Sequence, residues 1–439
     1  MLQQFYQYLV LGLLVALVAV IAWGRVERHW AGIAVLVALV VSGAVSPREA
    51  VEYIDWDVLG LILGMSIFTV FLEESGLMDV VARFLYGRLK TGWAAVFWLS
   101  FIAGLISILL ENVTVVLLMA PVVFRLASRL EMDPTLVLVP VALASNMAGS
   151  ATMVGDPPAI ITAGYLNLTF MDFIWYEGKP SMFFMTIIPM VFACLTAAAI
   201  AGKTRSKPKP NLPQEERQSE EERRVDKAFL IEATIFLTLK ILLLTFRHEL
   251  GIPLSLAAAV GVGGLTLARL AHRDTQSVVK AYREGFEWKL LLFLAGVFTL
   301  SGAFAKHGLA TATAQAIVDV AGHNPLLITS LLVWASVAMS AFIDNVPYTT
   351  TMLPVVKAIA EQIGAKPITI AWAILLGTTL GGNLTYIGAS ANVMAVRLLE
   401  KKGTKITFTQ FTKISIPFNT ISVVTGWTIY ELTWILPHM

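Results

Sequence analysis

ENVTVVLLMAP at Glu111–Pro121 and DNVPYTTTMLP at Asp344–Pro354 lie 233 residues apart, and the fold turns on reading them together. Each is the polar middle of a long apolar stretch, Trp93–Leu126 in one case and Pro325–Ile359 in the other. An acid followed by Asn inside such a run divides it into a helix, a turn and a second helix. The same offset lays MAGSATMVGD from Met147 onto LGGNLTYIGA from Leu380. An offset of 232 lays DWDVLGLILG from Asp55 onto EWKLLLFLAG from Glu287, and Gly76-Leu77 onto Gly308-Leu309. Identities are few, but Trp, Asn, Gly, Thr and Pro recur in the same order, as in the weak internal symmetry of many transporters.

Working outward, 57% of the 439 residues are apolar and only 14% are Asp, Glu, Lys or Arg, against about 25% charged residues in a soluble domain. Most of the surface must face lipid, so the sequence predicts an all-α polytopic membrane protein. Apolar runs near residues 6–23, 30–45, 57–74, 136–166, 181–201, 228–246, 253–270, 288–305, 368–399 and 414–435 each suit a bilayer core roughly 30 Å thick. Five such runs fall in each half, and each interrupted stretch is either a re-entrant hairpin with no net crossing or two full spans, so the crossings per half are odd in number either way.

Residues 201–227, AGKTRSKPKPNLPQEERQSEEERRVDK, are charged and Pro-bearing and read as a solvated linker. They divide a first repeat, 1–200 with hairpin 93–126, from a second, 228–439 with hairpin 325–359. An odd number of crossings per half gives the repeats opposite orientations. With the linker in the cytoplasm, only Arg48, Lys179, Arg247, Lys306, Lys357 and Lys366 fall outside, and Lys240 lies within a span. The positive-inside rule therefore predicts both termini outside an inner membrane. The opening MLQQFYQY has no basic residue ahead of its apolar run, so the first span is expected to be retained rather than cleaved.

Several function classes drop out. A net charge of +2 gives no reason to expect a nucleic-acid partner, and Cys194 alone cannot form an intrachain disulfide. The six His residues are scattered without ligand spacing, so neither a metal site nor a cofactor is expected. Ala201-Gly202-Lys203-Thr204 resembles the end of a phosphate-binding loop, but Ala197 holds the first Gly position and an apolar span precedes it. No nucleophile elbow, zincin helix or dinucleotide fingerprint is present either. The chain is not read as an enzyme.

Irregular backbone at membrane depth survives only inside protein or beside a water-filled cavity, and four such breaks stand out. They are Glu111-Asn112-Val113-Thr114; Gly149 to Pro158; Asp344-Asn345 with Thr349 to Thr351; and Gly381 to Asn392. Gly149 and Gly155 permit unwinding, and Asp156-Pro157 is a good cap and first-turn pair for restarting a helix. Four half-helix N-termini then converge, each with roughly half a positive charge and free N–H donors. Such a site suits an anion or a small oxygen-rich solute, while Asn and Thr oxygens and unwound carbonyls equally suit Na⁺. The plainer readings are that Asp156 only caps, that Glu111 only serves a helix dipole, and that hydroxyls only bond carbonyls at kinks. Matched acids beside Asn in both halves favour Glu111 and Asp344 as ion or proton sites. Glu73, Glu74 and Asp79 read as the solvated end of a span, and Lys240 and Glu232 as side chains snorkelling to opposite faces.

The stretches ENVTVVLLMAPVV, GSATMVGDPPAII, DNVPYTTTMLPV and GGNLTYIGASANV resemble the ion transporter superfamily. Within it, the branch is that of arsenite permeases, the melanosomal P protein and NhaD-type sodium/proton antiporters. The resemblance covers essentially the whole chain. It implies a homodimer of protomers with a scaffold part and a mobile part, the latter built from two opposed hairpins and two unwound helices that move as an elevator. It also implies a binding site including Asn112, Thr114, Thr152, Asp156, Asn345, Thr349, Asn383, Thr385 and Asn392, with Ser150 in the same break. Two departures matter: the acids Glu111 and Asp344 stand where dicarboxylate symporters carry a Ser-Asn-Thr signature, and Ala159 replaces Asn in GDPPA. The first weighs against a dianionic substrate and for proton coupling. Kinship to arsenite pumps also allows an associated ATPase subunit.

The sequence thus points to a secondary active transporter, a proton-coupled permease exporting arsenite or a related small oxyanion. Glu111, Asp156 and Asp344 are the expected proton carriers. Arsenite at neutral pH is the uncharged triol, which Asn, Thr and carboxyl groups hydrogen-bond without thiols. The alternative is a sodium/proton antiporter holding Na⁺ at Asn112, Thr152, Asn345 and Thr385. An uncoupled channel or membrane scaffold is the third reading.

Overall fold

The computed structural model describes residues 2–77, 80, 89–203 and 226–438. The first half runs α1 (Leu2–Trp23), α2 (Arg28–Val41), α3 (Pro47–Tyr53), α4 (Trp56–Glu74), α5 (Gly92–Ser107), α6 (Asn112–Arg129), α7 (Thr135–Gly149), α8 (Pro157–Tyr165) and α9 (Met182–Lys203). Between α8 and α9 a two-residue antiparallel pair, β1 (Trp175–Tyr176) and β2 (Lys179–Pro180), closes a turn. The second half runs α10 (Lys227–Thr245), α11 (Arg247–Leu250), α12 (Leu254–Ala271), α13 (Thr275–Gly285), α14 (Trp288–Lys306), α15 (Leu309–Ala321) and α16 (Pro325–Ser340). It continues with α17 (Asn345–Ile363), α18 (Pro367–Gly381), α19 (Ser390–Lys401) and α20 (Phe408–Tyr430). The core of the predicted linker, 204–225, and Asp79 lie outside the described residues.

Among the described residues, seven helical segments are long and apolar enough to cross a membrane by themselves, and α15 with α16 pass together but bend by 118°. Helices α2, α5, α7 and α18 are apolar but shorter. The protein is a multi-pass membrane protein. All four breaks foreseen in the sequence are present, between α5 and α6, α7 and α8, α16 and α17, and α18 and α19. The short α7 and α18 are buried almost end to end, so they form the centre around which longer, lipid-facing helices pack.

A scan for bilayer-length runs passes over α3, α13, α15 and the β pair because each is too short or too polar. Their signals are local. Ser46 and Glu49 form a capping box at α3, and Asp274 caps α13 through Ser277 N. Lys280 of α13 reaches Glu74 at 2.6 Å, so Glu74 clamps α13 to α4 rather than ending in water. Lys306 at the end of α14 bonds Glu49, and that ammonium holds the carboxyl of Glu49 down to about 2.

The contact between α2 and α14 is set by two glycines. A Cβ on Gly296 of α14 would lie 2.2 Å from Gly32 O, and one on Gly32 of α2 would lie 2.9 Å from Phe293 Cα. Only glycine permits this approach, which is how helices bind tightly in lipid. It fixes α2, and Arg28 at its start, against α14.

The snorkelling expected of α10 does not occur. Lys240 is fully buried, its Nζ 2.9 Å from Met65 Sδ and 4.2 Å over the Phe68 ring, with Gly261 against its stem. Glu232 is bound by Arg269 and lies 2.9 Å from His272. Because α4 and α12 flank α10, the lysine stem has no path to an interface.

Candidate functional site

Breaking a helix in a membrane strands carbonyls, and those carbonyls need donors. The two halves solve this with the same side chains. Thr152 Oγ1 in the first broken segment donates to Ile108 O at the first hairpin tip (2.6 Å), and Thr385 Oγ1 donates to Ala341 O at the second. Ser107 Oγ donates to Asn112 Oδ1 (2.6 Å), and Ser340 Oγ meets the side-chain amide of Asn345 at 2.5 Å. The amide nitrogen of Asn345, turned inward, faces Thr378 O (3.3 Å) and Gly388 O (3.2 Å). A Cβ at Gly155 would meet Gly149 O at 2.3 Å and Ser107 O at 2.7 Å; at Gly388 it would meet Ser340 O at 2.6 Å and Gly382 O at 2.7 Å. Each hairpin tip is therefore seated on the bend of its own broken helix.

The two breaks then meet each other. Asn146 Nδ2 donates to Asn383 Oδ1 (3.0 Å) and to Thr379 O (3.1 Å), and Asn383 Nδ2 donates to Leu143 O (2.9 Å). Asn112 Nδ2 reaches Asn146 Oδ1 at 3.4 Å, joining the first hairpin to this crossing. Ser150 Oγ lies 2.6 Å from Thr379 Oγ1 and donates to Asp156 Oδ2 at 2.8 Å. Thr379 stands 233 residues after Asn146, and Asn383 stands in the same relation to Ser150. The contact Asn146–Asn383 thus returns as Thr379–Ser150 with the partners exchanged.

Acidic groups sit at three of the four helix restarts. Glu111 caps α6, accepting from Thr114 N (3.0 Å) and Thr114 Oγ1 (3.3 Å). Asp156, buried, caps α8 through Ala159 N (3.0 Å), with Pro157 at the first position as expected. Asp344, also buried, caps α17 through Val346 N (3.1 Å) and forms an ion pair with Arg28 Nη1 at 2.8 Å. The fourth restart, α19 behind Ala389, has no side-chain cap. Arg28 Nη1 also donates to Ser390 Oγ (3.0 Å), the first residue of α19. The charges form one group: Arg28 acts on Glu111, and Glu111 acts on Asp156 and on Glu287.

Of the residues predicted for the site, Asn112, Ser150, Thr152 and Asp156 come together in the first half, and Asn345, Asn383, Thr385 and Asn392 in the second. Glu111 and Thr114 pair with each other at their tip. Thr349 is fully buried with no partner for its hydroxyl, as is the hydroxyl of Thr351. Asn392 donates to Gly382 O (3.1 Å) and Thr385 O (3.3 Å), but its Oδ1 has no donor. Buried polar atoms without partners are uncommon in folded proteins. The hydroxyls of Thr152 and Thr385 donate to carbonyls and also accept from the backbone of their own bends, Thr152 Oγ1 from Val154 N (3.4 Å) and Thr385 Oγ1 from Ile387 N (3.2 Å) and Gly388 N (3.3 Å). No three His, Cys, Asp or Glu residues are grouped to hold a metal among the described residues.

Sequence reasoning missed Asn146, Thr379, Ser107, Ser340 and Arg28. A polar Asn146 within the apolar LVLVPVALASNMA was a signal, and the repeat offset leads from it to Thr379. Arg28 carried none, since a basic residue opening a span reads as an interfacial anchor.

Residues 18–377 match the profile of a family described as citrate transporters. The chain belongs to this family. An uncharacterized transporter of Mycobacterium tuberculosis is 33% identical over 413 residues, covering 92% of this chain and 94% of its own. The human P protein is 27% identical over 469 residues, covering 90% of this chain and 55% of the longer P protein, in keeping with the branch that the motifs resemble. The crystal structure of the YdaH transporter of Alcanivorax borkumensis shares the fold, with a TM-score of 0.61 at 15% identity over 87% of this chain and 86% of that one. As a member of the citrate transporter family, the protein is a transporter and not an enzyme.

Proposed function

We propose that the protein is a secondary active, proton-coupled permease for a small, oxygen-rich solute, with the cargo bound where the two broken helices cross. The observation that carries this reading is Asp156. It is a buried carboxylate at the start of a half-helix, linked through Ser150 to Thr379 of the other half, and embedded carboxylates of this kind serve as proton or ion sites. Glu111 and Asp344 complete the proposed proton carriers, with Asn112, Thr114, Ser150, Thr152, Asn345, Thr349, Asn383, Thr385 and Asn392 as the ligand set. Exchange of partners between Asn146–Asn383 and Thr379–Ser150 supports inverted repeats. Hairpins seated on the breaks support a mobile unit that moves as an elevator against a scaffold. Arsenite for export is one cargo within this reading. The family description adds citrate, and the ion pair of Arg28 with Asp344 removes part of the charge that weighed against a polyanion.

The sodium/proton antiporter is the second reading, favoured by the partnerless buried oxygens of Asn392 and Thr349. We further infer a homodimer in an inner membrane, with the 201–227 linker in the cytoplasm and both termini outside; an ATPase subunit would associate within the arsenite reading only.

Proteoliposomes holding a pH-sensitive dye test the proposal, with citrate, arsenite or Na⁺ added separately under an imposed pH gradient. Proton movement on adding citrate or arsenite, and none with Na⁺ alone, is expected. Movement with Na⁺ alone makes the protein an antiporter. If Glu111→Gln and Asp344→Asn both leave pH-driven transport intact, they are not the proton carriers. Absence of any flux against a gradient leaves only a channel or scaffold.

A further inference from the structure

We propose that Arg28 is the counter-charge for an anionic cargo: Asp344 holds its guanidinium in the present conformation, and a carboxylate or oxyanion of the cargo takes that place once Asp344 is protonated. The inference rests on the proton-coupled reading above and names the residue that makes it anion-selective. Among the described residues, Arg28 is the only basic side chain bonded to the predicted site residues.

Its geometry is half used. Nη1 makes both contacts, to Asp344 Oδ2 at 2.8 Å and Ser390 Oγ at 3.0 Å, while Nη2 and Nε make none among the described residues. The side chain is 42% exposed although it is bonded to buried Asp344. A guanidinium offers a planar fork that matches a carboxylate or oxyanion with two parallel hydrogen bonds, and Asp344 fills only one prong of it.

The surroundings make the exchange favourable. Arg28 lies at the first residues of α17 and α19, two helix ends that each carry partial positive charge. The Asp344 carboxylate compensates that concentration of positive charge. Adding a proton to it, forming the neutral acid while Arg28 stays cationic, leaves a field that an incoming anion relieves. The other charged groups facing the pair do not fill this role. Glu27 is occupied by Lys289 and His29; Glu111 is held as the cap of α6 and lies close to Glu287 and Asp156.

Position explains why such an exchange matters for movement. Arg28 belongs to α2, locked against α14 by Gly32 and Gly296, whereas Asp344 and Ser390 begin the inner helices of the second half. When cargo replaces Asp344 on Arg28, it also replaces the bond that ties α2 to those helices. Return of the proton to water restores the ion pair and displaces the cargo.

The test is binding to the full-length protein in detergent, read by the fluorescence of its 11 Trp residues, with citrate as the anionic probe and arsenite as the uncharged one. Variants are compared at one pH, so ionisation of the probe cancels. Arg28→Gln should weaken citrate binding by about 10-fold to 100-fold, the loss of a charge-assisted hydrogen-bonded pair, and leave arsenite unchanged. Arg28→Lys should recover part of it. Asp344→Asn should move citrate the opposite way, tighter than wild type at about pH 8, well above the ordinary carboxylate range. A purely structural role for the pair weakens both variants alike, so citrate binding lost in Asp344→Asn overturns the proposal. Unchanged citrate binding in Arg28→Gln also overturns it. Citrate flux without proton movement, by contrast, defeats the coupling reading, and the opposed binding shifts still judge Arg28.

Discussion

At the first break Thr152 holds Ile108 O and Gly155 closes on Ser107 O; at the second Thr385 holds Ala341 O and Gly388 closes on Ser340 O. The backbone solution is the same in both halves because the problem is the same: carbonyls freed by a break need donors at fixed places. The charges differ. Among the described residues, the first break restarts on Asp156 with no basic residue bonded to it, while the second restarts on Ala389 with no acid at all; at the tips, Glu111 caps α6 without a bonded cation, whereas Asp344, capping α17, is paired with Arg28. The two halves therefore share what satisfies the backbone and diverge in the charges they place beside it.

Changes at the charged positions should separate the halves most. Asp156→Asn keeps a good cap but cannot carry a proton, so proton-coupled flux should fall by about 100-fold or more, while the detergent-solubilised protein keeps its melting temperature. Wild-type flux with an unchanged pH profile would reduce Asp156 to a cap.

Gly155→Ala and Gly388→Ala should behave alike, because each puts a Cβ against backbone oxygens. Overpacking of this kind costs about 1–3 kcal/mol, measurable as a lowered melting temperature for both. A loss at one position only would show that the other bend has room for the added methyl.

The crossing should respond unequally. Asn146→Ala strands Asn383 Oδ1 and Asn112 Nδ2, which costs about 1–3 kcal/mol for buried groups left without partners. Thr379→Val removes the equivalent contact, but Ser150 still has Asp156, so the cost should be smaller. A double-mutant cycle across the two positions measures how far the exchanged contacts act as one network. Equal costs would mean that Asp156 does not hold Ser150.

Smallest is the missing cap. Ala389→Ser supplies α19 with the side-chain acceptor it lacks and should stabilise by up to about 1 kcal/mol. A loss of stability would show that the space at Ala389 is already taken.

The membrane class, the position of all four breaks, the cap Asp156 and the place of Glu111 at a helix start were legible in the chain alone. These follow from local causes: apolar run length, glycine beside polar residues, and an acid ahead of a restarting helix. Which groups meet was settled by the packing of the helices. Asn146 and Asn383 are 237 residues apart and Arg28 and Ser390 are 362 apart, and no local pattern encodes such pairings without an offset that relates them. The repeat offset relates Asn146 to Thr379, but nothing relates Arg28 to Asp344. Lys240 shows the same limit from the other side. Its span was legible as apolar, but its burial against Met65 and Phe68 depends on α4 and α12 closing over it, and a side chain's access to water is a property of its neighbours rather than of its own segment.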